Sequence, residues 1–321
     1  MTGIICGTGS YAPSYVMDNN EIATMVETSD EWIKERTGVA TRHIIKDETT
    51  VSMACEAAKR ALDDGGVRAE EVELIIVSTI SSNIILPCTA CEVQKELGAV
   101  NATCFDMSAA CSGFVLAYNT ALAYLSGGVY RTALIIGSES LSNLTNWKDR
   151  GTCILFGDGA GAAVMRAGEG RVYLPVTHSD GAKGKALTCL SRHTSIAAER
   201  MTDPEYYMQM DGQAVFKFAV KKVPEVISEV LTKNHVEKEE ITWYIMHQAN
   251  SRIVEGVAKR LDEPIEKFPM NLQEYGNTSS ASIAILLDEM KRDGRLKSGQ
   301  KIVIAGFGAG LTWGAAVMEW I

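Results

Sequence analysis

The chain has 321 residues, 46% of them hydrophobic and 22% charged, a composition typical of a globular protein with a large core rather than of a disordered or fibrous chain. Its formal net charge of −9 argues against a general nucleic-acid-binding protein, because neutralising phosphates requires a surplus of Lys and Arg. A chain of this length is expected to form two domains or a fused pair of similar halves.

The N-terminal stretch and the cysteine content both bear on cellular location. The sequence MTGIICGTGS lacks the basic start and the apolar core of a secretory signal. No run approaches the roughly eighteen consecutive apolar residues of a membrane-spanning helix. The eight cysteines share no repeated spacing, which favours reduced thiols over a disulfide framework. We therefore expect a cytoplasmic protein that does not span a membrane.

Strand-like apolar runs alternate with helical patterns along the chain. The predicted elements of the first half are, in order, strand 74–79, helix 89–97, strand 103–107, helix 113–125 and strand 132–137. Those of the second half are strand 243–246, helix 252–261, helix 280–292 and strand 301–305. This alternation predicts an α/β fold.

Two similar segments suggest an internal duplication. CILFGDGAGAAVM at 153–165 resembles IVIAGFGAGLTWGAAVM at 302–318, and each is interpreted as a strand, a glycine-rich turn and then GAAVM. We predict an N-terminal half at 1–171 and a C-terminal half at 172–321. The weaker periodicity of 172–209 predicts that this segment crosses between the halves.

Cys111 is the candidate nucleophile. In ATCFDMSAACSGFVLAYNTALAYL a β-prone run ends in small residues, and a helix begins just after this cysteine. The N–H groups and the dipole at a helix N-terminus favour a thiolate and predict a lowered thiol pKa. By itself, a cysteine in an apolar stretch more often packs in the core. We keep the packing interpretation for Cys6, Cys55, Cys104 and Cys153.

Cys88 and Cys91 form a CxxC, a spacing that redox motifs and zinc sites share. No second pair and no suitably spaced histidine accompany them. Core packing is therefore the favoured interpretation, and a redox or metal-binding role is the alternative.

His247 and Asn277 are candidates for binding a developing enolate. His247 follows the strand-like WYIM and precedes a helix, whereas Asn277 lies in a turn before a Ser-rich helix start. An amide, like the Nε2–H of a neutral imidazole, donates a hydrogen bond without changing its protonation state. A structural histidine and a simple helix cap are the alternatives. We expect structural roles for His43, His178, His193 and His235.

Two glycine clusters carry different predictions. Gly306, Gly308 and Gly310 in GFGAGLTWG allow a ligand to approach the backbone closely, and an N–H there can complete an oxyanion hole with the amide of Cys111. Gly157, Gly159 and Gly161 do not have the GxGxxG spacing of a dinucleotide site. For that cluster we predict tight packing.

Six motifs together resemble the β-ketoacyl-acyl carrier protein synthase III family over nearly the whole chain. In order they are SDEWIKERTGVATRHI, DMSAACSGF, GDGAGA, HQANSRI, YGNTSSASI and GFGAGLTWG. The resemblance implies a thiolase-like α/β fold, with two similar halves in a layered αβαβα arrangement. It also implies that Cys111, His247 and Asn277 are catalytic, and that the amides of Cys111 and Gly308 form the oxyanion hole. Relatives with a Cys-His-His set carry their second histidine at the position of Asn277, so the asparagine favours initiation by acyl-CoA.

The resemblance further implies three groups of binding residues. They are the coenzyme A contacts Trp32, Arg36 and Arg150, the carrier-protein docking residues Arg252, Lys259 and Arg260, and the acyl-pocket residues Leu86 and Phe307. For Trp32 and for the basic helix face, inward packing and a solvated surface are the respective alternatives. Primer choice stays open, because straight-chain-selective members often carry a larger aromatic residue at the position of Leu86.

The implied reaction is a decarboxylative Claisen condensation that initiates fatty acid synthesis. A short acyl-CoA and malonyl-acyl carrier protein react through an acyl-cysteine to give β-ketoacyl-acyl carrier protein, CoA and CO2. The family is homodimeric, and the resemblance implies neither a metal nor a resident cofactor, since acyl-CoA is a substrate. The alternatives are a specialised acyltransferase or condensing enzyme of the same family in secondary metabolism and, from another class, a CxxC redox or metal-binding protein.

Overall fold

The computed structural model describes residues 1–190 and 204–321. Its strands are β1 Thr2–Tyr11, β2 Val16–Asp18, β3 Thr41–His43, β4 Leu74–Ser78, β5 Thr103–Met107, β6 Thr132–Ser140, β7 Asp158–Gly168, β8 Val176–Ser179, β9 Leu187–Thr188, β10 Gln209–Met210, β11 Ile241–Met246, β12 Lys301–Gly308 and β13 Thr312–Glu319. Its helices are α1 Asn19–Ala23, α2 Asp30–Thr37, α3 Thr50–Gly65, α4 Thr89–Leu97, α5 Gly113–Ser126, α6 Arg150–Cys153, α7 Gly212–Lys233, α8 Ser251–Leu261, α9 Leu272–Tyr275 and α10 Ser282–Arg292.

Two larger sheets share one pairing scheme. The first has the order β1-β7-β6-β4-β5, in which β4 and β6 are parallel while β6, β7 and β1 pair antiparallel. The second has the order β11-β12-β13-β8, in which β11 and β12 are parallel while β12, β13 and β8 pair antiparallel. The strands β4, β6, β7 and β1 thus correspond to β11, β12, β13 and β8, and the molecule contains two similar halves.

Both sheets are covered on both faces, as the alternation of side chains along β4 and β12 requires. Successive residues of a strand point to opposite faces. Ile76 of β4 and Ile304 of β12 face α5 and α10, which lie between the two sheets. Val77 faces α3 and α4 on the outside of the first sheet. Val303 faces α7 and α8 on the outside of the second. The layers are therefore helix, sheet, helix, sheet and helix, as predicted.

The duplicated segments are equivalent only in part. GAAVM lies in β7 at 161–165 and in β13 at 314–318, two corresponding strands. The strand predicted ahead of the first glycine turn is wrong, because α6 ends at Cys153 and a turn leads into β7. The predicted crossing segment contains β8, which pairs with β13. The division into two domains at 171 and 172 stays a prediction.

Gly157 and Gly161 lie where other chain segments come close. A Cβ on Gly157 would lie 2.2 Å from the carbonyl oxygen of Tyr275, and one on Gly161 would lie 2.6 Å from Cβ of Ala284. The prediction of tight packing for this cluster is confirmed.

Within residues 1–190 and 204–321, no helix has the length and apolar character needed to cross a membrane.

Candidate active site

Cys111 lies in a short 3-10 turn, Ala110–Ser112, between the end of β5 and the start of α5. Its side chain is buried, with 7% of the residue exposed. Strand β12 runs directly against this turn, because a Cβ on Gly308 would lie only 2.8 Å from the backbone nitrogen of Cys111. Only glycine permits this approach. The backbones of Cys111 and Gly308 are therefore neighbours, as the oxyanion-hole prediction requires.

Burial raises the pKa of the Cys111 thiol to about 12. The Ser279 hydroxyl acts in the opposite direction and lowers this pKa, while the charge of Glu139 raises it further. The prediction of a lowered thiol pKa is therefore wrong, because the loss of hydration on burial outweighs the helix N-terminus. At neutral pH Cys111 is therefore a thiol.

His247 follows β11 and is also buried. Its Nδ1 lies 2.8 Å from Oγ of Ser282, and its ring packs edge-on against Phe307 at a centroid distance of 5.3 Å. Burial lowers the pKa of His247 to about 3. The imidazole is therefore neutral and carries one N–H.

Asn277 lies in the turn between α9 and α10, next to Phe156. Its backbone N–H donates to Leu155 and its carbonyl accepts from Gly157, which anchors the turn to the first half of the chain. The side-chain Oδ1 accepts a hydrogen bond of 2.9 Å from the backbone N–H of Ser279. Because the amide oxygen is engaged, the amide nitrogen is the end available to a substrate.

A serine-rich turn connects these residues. Oγ of Ser282 donates to the carbonyl of Ser279 at 2.9 Å and contacts His247, while the Ser279 N–H binds Asn277. The turn Ser279–Ala281 packs against the turn that carries Cys111. The structure thus brings the three predicted catalytic residues around one buried site.

The sequence analysis did not identify Glu139, a buried carboxylate at the end of β6. It accepts hydrogen bonds from the hydroxyls of Ser81 at 2.5 Å and Ser280 at 2.8 Å. Burial raises the pKa of Glu139. An acidic residue within the apolar run ALIIGSES was the signal that could have found it, since buried acids are rare unless partnered.

Comparisons with known proteins agree with the motifs. Models described as 3-Oxoacyl-[acyl-carrier-protein (ACP)] synthase III and as its C terminal match residues 105–181 and 231–320. A Beta-ketoacyl-[acyl-carrier-protein] synthase III of Clostridium botulinum is 45% identical over 320 residues, which cover 98% of both chains. The chain belongs to the β-ketoacyl-[acyl-carrier-protein] synthase III family. It is accordingly a condensing enzyme of the acyltransferase class.

Solved structures confirm the thiolase-like fold. A 3-oxoacyl-[acyl-carrier-protein] synthase III from Aquifex aeolicus VF5 has a TM-score of 0.93 and 41% identity, over 99% of this chain and 100% of that one. A priming β-ketosynthase from the R1128 polyketide biosynthetic pathway has a TM-score of 0.93 and 34% identity, over 99% and 96% of the two chains.

The coenzyme A residues expected of a synthase III lie together at the surface. Trp32 and Arg36 are on α2, and Arg150 begins α6. The guanidinium carbons of Arg150 and Arg36 lie 5.0 Å and 5.7 Å from the centroid of the Trp32 ring. Asn250, the N-cap of α8, donates to the carbonyl of Arg36 at 2.9 Å. This cationic and aromatic cluster therefore adjoins the start of the predicted docking helix.

The predicted docking residues Arg252, Lys259 and Arg260 are all exposed on α8. Helix α7 packs beside α8, and Arg260 lines a surface groove together with Lys221. The sequence analysis did not predict a neighbouring cavity of about 530 Å³ on α7. Its basic lining residues are Lys183, Lys185, Lys217, Lys221 and Lys222. The basic surface of this synthase III is thus wider than predicted.

The two predicted acyl-pocket residues lie in different environments. Phe307 is buried beside His247. Leu86 is 84% exposed on the loop before α4, so within a single chain it does not line an enclosed pocket. A role for Leu86 in primer selection stays a prediction.

The remaining candidates have local structural partners. The sulfurs of Cys88 and Cys91 lie 3.4 Å apart as free thiols. In the described part of the chain, no cluster of three or more His, Cys, Asp or Glu side chains can hold a metal ion. His43 contacts the carbonyl of Pro13, and His178 pairs with Glu229. His193 lies outside the described residues.

Proposed function

We propose that this enzyme condenses a short acyl-CoA with malonyl-acyl carrier protein and thereby initiates fatty acid synthesis. The products are β-ketoacyl-acyl carrier protein, CoA and CO2. The observation that carries the proposal is the buried site itself. There the Cys111 turn packs against Gly308, next to a neutral His247 and an Asn277 amide held by its oxygen.

In the first half-reaction, sulfur of Cys111 attacks the thioester carbonyl of acyl-CoA. Because its pKa is about 12, the thiol loses its proton as the S–C bond forms, and the proton passes to the departing CoA sulfur. The tetrahedral oxyanion accepts hydrogen bonds from the backbone N–H groups of Cys111 and Gly308. Collapse breaks the bond to CoA and leaves an acyl-cysteine.

In the second half-reaction, malonyl thioester loses CO2 and becomes an enolate. The Asn277 amide nitrogen donates a hydrogen bond to the enolate oxygen. Nε2–H of His247 does the same in the tautomer in which the Ser282 hydroxyl turns from the Ser279 carbonyl to donate to Nδ1. Donors fixed by the protein replace water in a buried site. The enolate carbon attacks the carbonyl of the acyl-cysteine, the C–S bond breaks, and the released Cys111 thiolate takes up a proton from water.

We propose that two surface clusters bind the substrates at the entrance to the site. The ring of Trp32 and the guanidinium groups of Arg36 and Arg150 are suited to an adenine ring and its phosphates. The basic face of α8 is suited to an acidic carrier protein. We also propose a homodimer in the cytoplasm, in which the exposed Leu86 of one chain helps to shape the acyl pocket.

Labelling of Cys111 tests the function. Wild-type enzyme incubated with mass-tagged acetyl-CoA is expected to gain one acetyl group at Cys111, detected by intact-protein and peptide mass spectrometry. Cys111→Ala should gain none. The control, Cys6→Ala, removes a half-buried thiol of β1 and should label like the wild type. Acetylation of the Cys111→Ala variant at the wild-type level would refute the proposal.

The alternative is a specialised acyltransferase of the same family in secondary metabolism, which the curated relatives do not favour. The two roles differ in the acceptor of the acyl group. Release of CO2 from acetyl-CoA and malonyl-acyl carrier protein supports initiation of fatty acid synthesis. Transfer to another acceptor with no CO2 release would support the specialised role.

A further inference from the structure

Ser279 combines two unfavourable features at the centre of the site. It is 1% exposed, and among the described residues its hydroxyl has no hydrogen-bond partner. Its backbone has a φ of +49°, a left-handed conformation that costs a non-glycine residue free energy. A buried hydroxyl without a partner is also rare in folded proteins. Both features destabilise the fold at Ser279, a residue to which the mechanism proposed above assigns no role.

The backbone of Ser279 holds two of the proposed catalytic residues. Its N–H donates to Oδ1 of Asn277 at 2.9 Å. Its carbonyl accepts from Oγ of Ser282 at 2.9 Å, and that oxygen lies 2.8 Å from Nδ1 of His247. The left-handed conformation at Ser279 therefore belongs to the turn that orients both the amide and the imidazole.

The side chain of Ser279 acts on the third catalytic residue. The turn Ser279–Ala281 packs against the turn Ala110–Ser112, which carries the sulfur of Cys111. The hydroxyl lowers the pKa of that thiol, whereas burial and the carboxylate of Glu139 raise it. The buried imidazole of His247 is neutral and brings no positive charge to the sulfur. The Ser279 hydroxyl is thus the polar side chain that favours ionisation of the sulfur.

We propose that Ser279 is a further catalytic residue for acyl transfer, whose hydroxyl turns to donate a hydrogen bond to the Cys111 sulfur as negative charge forms there. Its backbone meanwhile keeps the Asn277 amide nitrogen directed at the substrate. The proposal rests on the proposed function and adds a second side chain, beside that of Cys111, to its first half-reaction. Hydrogen bonds to charged groups are stronger than neutral ones, so the contact gains strength as the thiolate develops.

The test is the pH dependence of Cys111 alkylation by iodoacetamide. Ser279→Ala removes the hydroxyl, and Ser279→Gly removes it while accommodating the left-handed backbone. Both variants should alkylate about tenfold more slowly at a given pH, with the rate curve displaced to higher pH. Thr278→Val is the matched control, because it removes a neighbouring buried hydroxyl that also lacks a partner among the described residues. It should keep the wild-type curve.

Wild-type alkylation curves for both Ser279 variants would overturn the proposal. So would an equal displacement in Thr278→Val, because that result indicates a general loosening of the site. Should Ser279→Ala fail to fold, Ser279→Gly decides the outcome. Alkylation uses no acyl-CoA, so it tests the role of Ser279 independently of the proposed function. A failure of the proposed function would instead appear as absence of acetyl labelling in the wild type.

Discussion

Cys111 and His247 are both buried, and burial acts on their pKa values in opposite directions. The thiol pKa rises and the imidazole pKa falls, because in each case the charged form loses hydration. At neutral pH the site therefore holds a thiol and a neutral imidazole. A cationic histidine would attract the malonyl carboxylate and oppose loss of CO2, whereas a neutral donor binds the enolate oxygen without that effect.

Asn277→Asp isolates the role of the amide nitrogen. The variant keeps an oxygen for the Ser279 N–H but replaces the donor with a second acceptor. We expect malonyl decarboxylation to fall about a hundredfold, the usual cost of losing an oxyanion donor, while acylation from acyl-CoA is kept. Rates of CO2 release and of acetyl labelling, measured separately, check this. Equal loss of both rates would contradict the division of labour.

The neutral state of His247 predicts a specific pH profile. Since its pKa is about 3, decarboxylation should show no histidine titration between about pH 5 and pH 8. In the unfolded chain the histidine takes up a proton near its ordinary pKa, so its contribution to stability is lost as the pH falls from there towards 3. Measuring CO2 release against pH tests the first statement. A limb with a midpoint near 6.5 that disappears in His247→Gln would disprove it.

At the level of elements, one junction is central to the site. The end of β12 and the turn Ala110–Ser112 before α5 pack so closely that glycine is required in the strand. The predicted strand 301–305 stops short of this contact, since β12 continues to Gly308. A glycine-rich end resembles a loop in sequence, but here it pairs with β13 along its full length.

Gly308→Ala should disrupt the oxyanion hole. The added Cβ would lie 2.8 Å from the Cys111 nitrogen, so one of the two backbones must shift. We expect acylation to fall about a hundredfold as the donors move away from the oxyanion. Gly181→Ala is the control, because its Cβ would meet open space. Single-turnover acylation measures the effect, and an unchanged rate in Gly308→Ala would argue against the hole.

Helix α8 contains the predicted docking residues for the carrier protein. Arg252→Glu reverses a charge on its exposed face, and we expect the KM for malonyl-acyl carrier protein to rise about tenfold or more. Acetyl labelling from acetyl-CoA should change little. Lys297→Glu, at the opposite end of β12 from Gly308, is a control with the same change in net charge. Equal effects of Arg252→Glu on both half-reactions would reject a docking role.

In the whole molecule, the site forms where the two halves meet. Cys111 comes from the N-terminal half, whereas His247 and Asn277 come from the C-terminal half. Hydrogen bonds join the halves around the site: the Ser280 hydroxyl donates to Glu139, and the hydroxyls of Ser112 and Thr312 lie 2.6 Å apart. The reactive geometry therefore depends on how the two sheets and the helices between them pack.

Glu139→Ala tests this contact between the halves. Loss of the carboxylate leaves the buried hydroxyls of Ser81 and Ser280 without an acceptor. We therefore expect the free energy of unfolding to fall by about 3 kcal/mol. Chemical denaturation measures the change. Glu56→Ala, which breaks an exposed pair with Lys59, should change stability by less than about 1 kcal/mol. Similar values for the two variants would show that Glu139 does not join the halves.

The sequence by itself determined the α/β class and many of the strands and helices between β4 and β12, because hydrophobic periodicity is a local property of the chain. The two similar halves were predicted from the similarity of residues 153–165 to residues 302–318. The motifs also identified Cys111, His247 and Asn277 as candidates. Strand β8 escaped prediction because a short edge strand has little periodicity, and the residues before β7 were wrongly predicted as a strand for lack of tertiary context.

Only the tertiary structure decided the protonation states and the supporting residues. Whether a thiol or an imidazole is hydrated depends on chain segments far away in sequence, so no local pattern predicts a pKa of about 12 for Cys111 or about 3 for His247. The same holds for Glu139, whose hydrogen-bond partner Ser280 comes from a distant segment. It holds also for Ser279, whose left-handed backbone conformation no local pattern predicted. Periodicity reports which faces are buried, but the chemistry of the buried site depends on which groups meet there.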